Sequence, residues 1–146
     1  MIVLAKKINI NDICLLAIQG LERLKHIHDK NIIHLYIKTK NFLIGRKDPE
    51  IIYLIDFGFA KKYRSSQTGK HIRFFNLKTL IGSLTFASCN AIKGYESSRR
   101  DDLESFCYLL IYLAKCGWMP WKIYTKKNNL FFDEEKNYKK NKIRNY

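Results

Sequence analysis

The stretch HLYIKTKNFLIGRKDPEIIYLIDFG, residues 34–58, decides how this chain is expected to fold. Two short apolar runs, residues 42–44 and 51–55, flank a polar segment that contains glycine and proline. Apolar runs separated by a turn of this composition are typical of a β-hairpin. A hairpin here would bring Asn41 and Asp56 to adjacent strand ends. We therefore expect these two side chains to face one site.

A helical pattern precedes this stretch. Apolar residues from Ile13 onward recur at nearly helical spacing, and Asn11 or Asp12 has a side chain that can cap the first turn. Gly20 is a weak point within the pattern, because glycine lowers helix propensity. The sequence predicts a helix that ends near residues 29–31.

Beyond the hairpin, the pattern changes twice. Residues 59–98 are polar, basic and dotted with Ser, Thr and Gly, so we predict a long loop. The acidic start Asp101-Asp102-Leu103-Glu104 then predicts a helix that continues to about Lys115. The fold class expected from these patterns is mostly α with short β-hairpins. Residues 1–10 are read as a lead-in and residues 122–146 as a basic low-complexity tail.

Composition limits the function classes. The formal charge of +14 on 146 residues favours polyanions in general, but the basic residues are spread throughout and no Arg-rich run with interleaved aromatics occurs. Nucleic acid is therefore not the expected partner. The four cysteines form no C-x-x-C pair, which favours reduced thiols over a zinc site. The most apolar stretch, residues 106–114, is too short for a membrane span. We expect an intracellular protein, cytoplasmic or nuclear.

Four ordered blocks resemble the C-terminal lobe of the casein kinase 1 family of Ser/Thr protein kinases. They are Lys38-x-x-Asn41-Phe42-Leu43, Ile55-Asp56-Phe57-Gly58-x-Ala60-Lys61-Lys62-Tyr63-Arg64, Ser88-x-Asn90, and Ser98-Arg99-Arg100-Asp101-Asp102-Leu103-Glu104-Ser105. The pair Pro120-Trp121 follows at the expected distance. The resemblance implies an α+β protein-kinase-like fold in which residues 11–121 form a partial C-lobe and the N-lobe is absent.

The same resemblance implies site residues and cofactors. Asp56 of the D-F-G motif and Asn41 would hold Mg²⁺, and Lys38 would neutralise the transferred phosphoryl group of ATP. Tyr36 stands at the position of the catalytic Asp. Leu35 replaces the Arg that pairs with a phosphorylated activation loop, and Thr85 replaces an Arg that helps select acidic substrates.

Each of these residues also has a plain structural interpretation. Asp56 could cap its own turn, and Asn41 could bond loop backbone. Without a bound phosphate, Lys38 is better explained as a solvated surface lysine. A phenol with a pKa of about 10 is a poor proton acceptor at neutral pH, so Tyr36 predicts loss of the base. Retention of His34 and Asp102 indicates that the fold of the lobe is kept.

The sequence leaves three main hypotheses about the role of this chain. The first is a catalytically inactive casein kinase 1-like fragment that acts as a binding module, with a protein partner covering the surface that would face the N-lobe. The second is an ATP-dependent Ser/Thr protein kinase acting on protein substrates, whose ATP-binding lobe lies in a missing exon or a partner chain. The third is a decayed gene copy without a function. Binding of polyanions is a distant fourth.

Overall fold

The computed structural model describes residues 8–76 and 81–122. Helix α1 spans Ile10–Asp29, α2 spans Cys89–Lys93 and α3 spans Arg99–Ala114; the strands are β1 (Ile32–Ile33), β2 (Phe42–Ile44), β3 (Ile52–Leu54) and β4 (Lys61–Lys62). Short 3₁₀ turns cover Thr39–Asn41 and Pro120–Lys122. Helices with small antiparallel strand pairs agree with the expected fold class. Most of the predicted lead-in and nearly all of the predicted tail lie outside the described residues.

Helix α1 begins earlier than predicted. Its N-cap is Asn9, whose side chain accepts a hydrogen bond from the Asp12 main-chain N–H at 2.8 Å, and the Asp12 carboxylate accepts from the Asn9 N–H at 3.3 Å. This reciprocal pair is a capping box. The prediction of Asn11 or Asp12 as the N-cap was wrong, although Asp12 contributes to the capping box from inside the first turn. The predicted end near residues 29–31 is confirmed, since the last helical residue is Asp29.

The glycine inside α1 is a packing site. A Cβ atom on Gly20 would lie 2.1 Å from the Cζ atom of Phe106, a residue of α3 that is itself buried. The absence of a side chain lets the Phe106 ring reach the α1 backbone. Gly20 therefore lowers the helix propensity of α1 but permits close contact between the two long helices.

The predicted hairpin is confirmed, and a second strand pair accompanies it. β2 pairs antiparallel with β3, with Phe42 opposite Leu54. β1 pairs antiparallel with β4, with Ile32 opposite Lys62. The second pair was not predicted, because a strand that reads Lys-Lys carries no apolar alternation.

The described parts of residues 59–98, namely 59–76 and 81–98, are more ordered than the predicted long loop. Besides β4, this region contains α2, which is capped by the Ser88 side chain and ends at Gly94 in a left-handed conformation. Isolated bridges join Arg64 to His71 and Asn76 to Tyr95. Short segments held by tertiary hydrogen bonds show no sustained periodicity in the sequence. For this reason the prediction of an unstructured long loop was wrong.

Helix α3 provides the main support of the core. It begins at Arg99 after a capping box between Ser98 and Asp101, close to the predicted start. Its buried side chains join those of α1, of the hairpin and of the 120–122 turn in one cluster. The largest fully buried members are Phe42, Phe106, Leu24, Leu109 and Met119.

The four cysteines, all within the described residues, form no disulfide bond, and Cys14, Cys107 and Cys116 are exposed. Among the described residues, none of the helices has the length and apolar character needed to cross a bilayer.

Candidate functional site

The hairpin brings the two predicted metal ligands to one place. Asn41 ends the 3₁₀ turn before β2, and Asp56 follows β3 by two residues. The Ile55 N–H donates to the Asn41 carbonyl oxygen at 2.9 Å, which ties the two strand ends together directly. The expectation of adjacent strand ends is confirmed.

His34 joins the site to its surroundings through both ring nitrogens. Nε2 lies 3.0 Å from the Ile55 carbonyl oxygen, and Nδ1 accepts from the Tyr36 main-chain N–H at 3.2 Å. This pattern requires the neutral ring with its proton on Nε2. Burial lowers the pKa of His34, in agreement with that assignment. The Phe57 ring packs edge-on against the imidazole, with centroids 5.0 Å apart.

Asp102, at the N-terminal turn of α3, holds the loop that contains His34. Its Oδ2 atom accepts from the His34 main-chain N–H at 2.7 Å, and its Oδ1 atom accepts from the Leu35 N–H at 2.8 Å. The same Oδ2 lies 2.9 Å from Nε2 of His28 in α1. One buried carboxylate therefore links two helices and the loop.

The loop backbone is strained where it meets the site. Leu35 has a φ angle of 65° and Asp56 has a φ angle of 68°, both in the left-handed region that side chains disfavour. Strain of this kind persists only where surrounding bonds fix it, and it clusters at functional sites. Neither angle could be read from the residue types.

Gly82 packs closely against the same loop. It has a φ angle of 107°, and a Cβ atom there would lie 2.4 Å from the Leu35 carbonyl oxygen. Only glycine combines this backbone angle with such a close approach. The segment 81–88 is thereby held against the loop.

Lys38 lies between an acid and an aromatic ring. Its Nζ atom is 3.7 Å from Oδ2 of Asp56 and 3.5 Å from the centroid of the Tyr36 ring. Its side chain is 21% exposed, against 41% for that of Asp56. The interpretation as a solvated surface lysine was wrong, because ion pairing and a cation–π contact replace much of its hydration.

Tyr36 takes part in the site through its ring and its backbone. The half-buried ring meets Phe59 edge-on, with centroids 4.8 Å apart. The Tyr36 carbonyl oxygen accepts from Nδ2 of Asn41 at 2.8 Å. Asn41 thus bonds loop backbone, as its structural interpretation predicted. The bond uses the amide nitrogen of Asn41 as the donor.

The donor set fits a magnesium ion held partly by a ligand. Mg²⁺ is commonly bound by one or two carboxylates together with phosphate oxygens. The half-exposed Asp56 carboxylate and the Asn41 amide oxygen are donors of this type. Lys38, paired with Asp56, would face the phosphates. The described residues contain no group of three His, Cys, Asp or Glu side chains that could hold a metal unaided.

An apolar surface borders the site. Five large side chains on the hairpin and just after it are 38% or more exposed: Ile44, Tyr53, Ile55, Phe57 and Phe59. Large exposed apolar side chains beside a candidate site favour a surface that another protein element covers. We refer to these five residues as the hairpin apolar face.

Hydrogen bonds missed by the sequence analysis brace the opposite side of the loop. Ser88 Oγ donates to Oδ1 of Asp101 at 2.7 Å, and Glu104 Oε1 accepts from the Tyr108 hydroxyl at 2.8 Å. Burial raises the pKa of Tyr108, with further contributions from its bonds to Cys89 and Glu104. The Ser-x-x-Asp spacing of a capping box was the one available sequence signal.

Comparison with known families agrees with this geometry. The family model described as "Protein kinase domain" matches residues 2–145. The match includes the loop held by Asp102, both candidate metal ligands and all three helices.

Proposed function

Because the chain belongs to the protein kinase domain family, we propose that it is a casein kinase 1-like member that has lost phosphotransfer and acts as a protein-binding module. Members of the family transfer the γ-phosphoryl group of ATP with the help of Mg²⁺. Beyond this family membership, the casein kinase 1 subfamily and the loss of phosphotransfer activity are the proposed parts.

Tyr36 is the observation that carries the proposal. In a protein kinase, an Asp at this position accepts the proton of the substrate hydroxyl. A phenol is protonated at neutral pH and cannot accept that proton. The Tyr36 ring also packs against Phe59 and the Lys38 ammonium, and a side chain of this bulk would crowd an acceptor hydroxyl.

The surroundings of Lys38 support the same conclusion. Its ammonium is already engaged by Asp56 and by the Tyr36 ring. To meet a phosphoryl group, Lys38 would have to weaken both contacts. Both contacts give Lys38 a structural role in the loop.

Retained structural residues support a module that still folds. Asp102, Gly82 and the capping residues Ser88 and Ser98 all make the contacts described above. The hairpin apolar face gives such a module a surface for a protein partner. The four sequence blocks remain the basis for the casein kinase 1 assignment.

A phosphotransfer assay tests the proposal. Purified chain is incubated with Mg²⁺, radiolabelled ATP and a Ser-containing acidic peptide, with Asp56→Ala as the matched control. We expect the same background incorporation from both proteins. Incorporation by the wild-type chain that Asp56→Ala abolishes would overturn the proposal.

The alternative function is an ATP-dependent Ser/Thr kinase whose ATP-binding lobe is supplied by another segment or chain. This candidate is favoured by the proximity of Lys38, Asn41 and Asp56, because these are the side chains that would bind Mg²⁺ and the phosphates of ATP. Under it, Mg²⁺-ATP raises the melting temperature of the wild-type chain and not that of Asp56→Ala. Equal melting temperatures with and without Mg²⁺-ATP would count against a metal–nucleotide site formed by this chain alone.

A further inference from the structure

A small cavity between the C-terminal end of α1 and the turn at residues 65–70 is rich in positive charge. Its volume is about 290 Å³, and its lining includes the cationic side chains of Lys30, Lys62 and Arg64. Among the described residues, no carboxylate lines it. A larger cavity of about 650 Å³ nearby also has cationic residues, but Glu22 and Asp29 balance them. The smaller cavity is therefore the one suited to an anion.

The hydroxyl groups of this cavity are oriented as donors. Ser66 Oγ accepts a hydrogen bond from Nζ of Lys62 at 2.9 Å. Ser65 Oγ accepts from the main-chain N–H groups of Gln67 and Thr68, both at 3.3 Å. A hydroxyl whose oxygen is used in this way still has its proton to donate. Two hydroxyl donors and three cations thus line one small space.

Hydrogen bonds tie the framework that holds these groups to the end of α1. Tyr63 is buried, its hydroxyl donates to the His28 carbonyl oxygen at 2.8 Å, and its N–H donates to the Asn31 carbonyl oxygen at 3.0 Å. Side chains alternate along an extended segment, so Lys62 and Arg64 lie on the same side of it. The Arg64 guanidinium is 5.9 Å from the centroid of the Tyr63 ring. The turn is closed by hydrogen bonds between Ser65 and both Gly69 and Lys70.

We propose that the cavity formed by Lys30, Lys62, Arg64, Ser65 and Ser66 binds a phosphoryl group. Cations with fixed geometry and hydroxyl donors are the groups that recognise tetrahedral oxyanions, and arginine adds bidentate contacts. The volume lies just below the range of pockets for drug-sized ligands, which suits a small anionic group. The phosphoryl group could be free phosphate or part of a phosphorylated side chain. This site does not depend on the chemistry at Tyr36.

Calorimetric titration of the full chain tests the proposal. The probes are inorganic phosphate, a short phosphoserine peptide and the same peptide without phosphate. The double variant Lys62→Gln/Arg64→Gln is compared with Arg46→Gln/Lys47→Gln, which removes the same charge from the exposed hairpin turn. We expect about a tenfold or greater loss of phosphate affinity in the first variant and less than about a twofold change in the second.

The peptide arms identify the source of the phosphoryl group. Tighter binding of the phosphoserine peptide than of phosphate supports a phosphorylated protein as ligand, and equal affinities support free phosphate. Equal losses in the two double variants would indicate a net-charge effect and overturn the proposal. Absence of binding by both phosphorylated probes would overturn it as well.

Amide chemical shifts of the wild-type chain give a readout that needs no variant. Addition of phosphate should shift the amide signals of residues 65–69 more than those of the 45–50 turn. Shifts confined to other parts of the chain would contradict the site.

Discussion

The Oδ1 atom of Asp102 accepts a hydrogen bond from the Leu35 main-chain N–H at 2.8 Å, across 67 positions of sequence. Leu35 is one of the non-glycine residues with a positive φ angle. The carboxylate therefore stabilises a backbone conformation that leucine itself disfavours. In this way the N-terminal turn of α3 determines the shape of the loop that carries Tyr36 and Lys38.

Replacement of Asp102 by alanine should destabilise the protein strongly. Two main-chain N–H groups, those of His34 and Leu35, would lose their acceptor, and each such loss costs about 1–3 kcal/mol. We expect the free energy of unfolding, measured with urea, to fall by about 3 kcal/mol or more. Asp48→Ala, in the exposed hairpin turn, should change it by less than about 0.5 kcal/mol. A loss below about 1 kcal/mol for Asp102→Ala would contradict this role.

Lowering the pH should destabilise the protein through His34. The folded state lowers the pKa of this residue because the ring is buried. The unfolded chain then binds a proton at higher pH than the folded chain, so stability is complete above about pH 6.5 and is lost below it. We expect the melting temperature to fall between about pH 7.5 and pH 5.5. His34→Gln should flatten this dependence, whereas His26→Gln, at an exposed position, should leave it intact.

Gly20→Ala should destabilise the protein although alanine is the better helix former. The new methyl group would overlap the Phe106 ring at 2.1 Å. Overpacking in a core costs about 1–3 kcal/mol, which outweighs the gain of about 1 kcal/mol in propensity. In the background Phe106→Leu, the same substitution should cost much less. Additive effects of the two changes in urea unfolding would disprove the direct contact.

Two glycines with positive φ angles should respond differently to alanine. At Gly69, with φ of 65°, a Cβ atom meets nothing within 4 Å, so Gly69→Ala should cost only about 1–2 kcal/mol for backbone strain. At Gly82 the same change adds a clash with the Leu35 carbonyl oxygen. Gly82→Ala should therefore lower the melting temperature clearly more than Gly69→Ala. Equal shifts in the two variants would argue against close packing of segment 81–88.

The contact between Lys38 and Tyr36 should be measurable in a double-mutant cycle. A cation–π contact with a partly buried lysine contributes about 0.5–2 kcal/mol. Tyr36→Leu and Lys38→Gln should each lower the free energy of unfolding, and together they should lower it by less than the sum. Tyr36→Phe keeps the ring and should preserve the coupling. A coupling energy near zero would mean that the ammonium is held by Asp56 alone.

The sequence predicted features that depend on neighbouring residues. The hairpin, both long helices and the proximity of Asn41 to Asp56 follow from local apolar patterns and turn residues. The pairing of β1 with β4, the left-handed angle at Leu35 and the enclosure of Lys38 depend on contacts between distant segments. Gly20 shows the difference. Its low helix propensity could be predicted from the sequence, but its contact with the Phe106 ring could not.

The nesting of the two strand pairs affects the entropy of loop closure. The hairpin of β2 and β3 lies wholly within the segment that β1 and β4 enclose. Once the hairpin has formed, the ends of that segment are joined by a shorter effective loop, and bringing them together costs less chain entropy. Formation of the β2–β3 hairpin thus lowers the entropic cost of pairing β1 with β4. That pairing in turn brings Lys61 and Lys62 beside the end of α1.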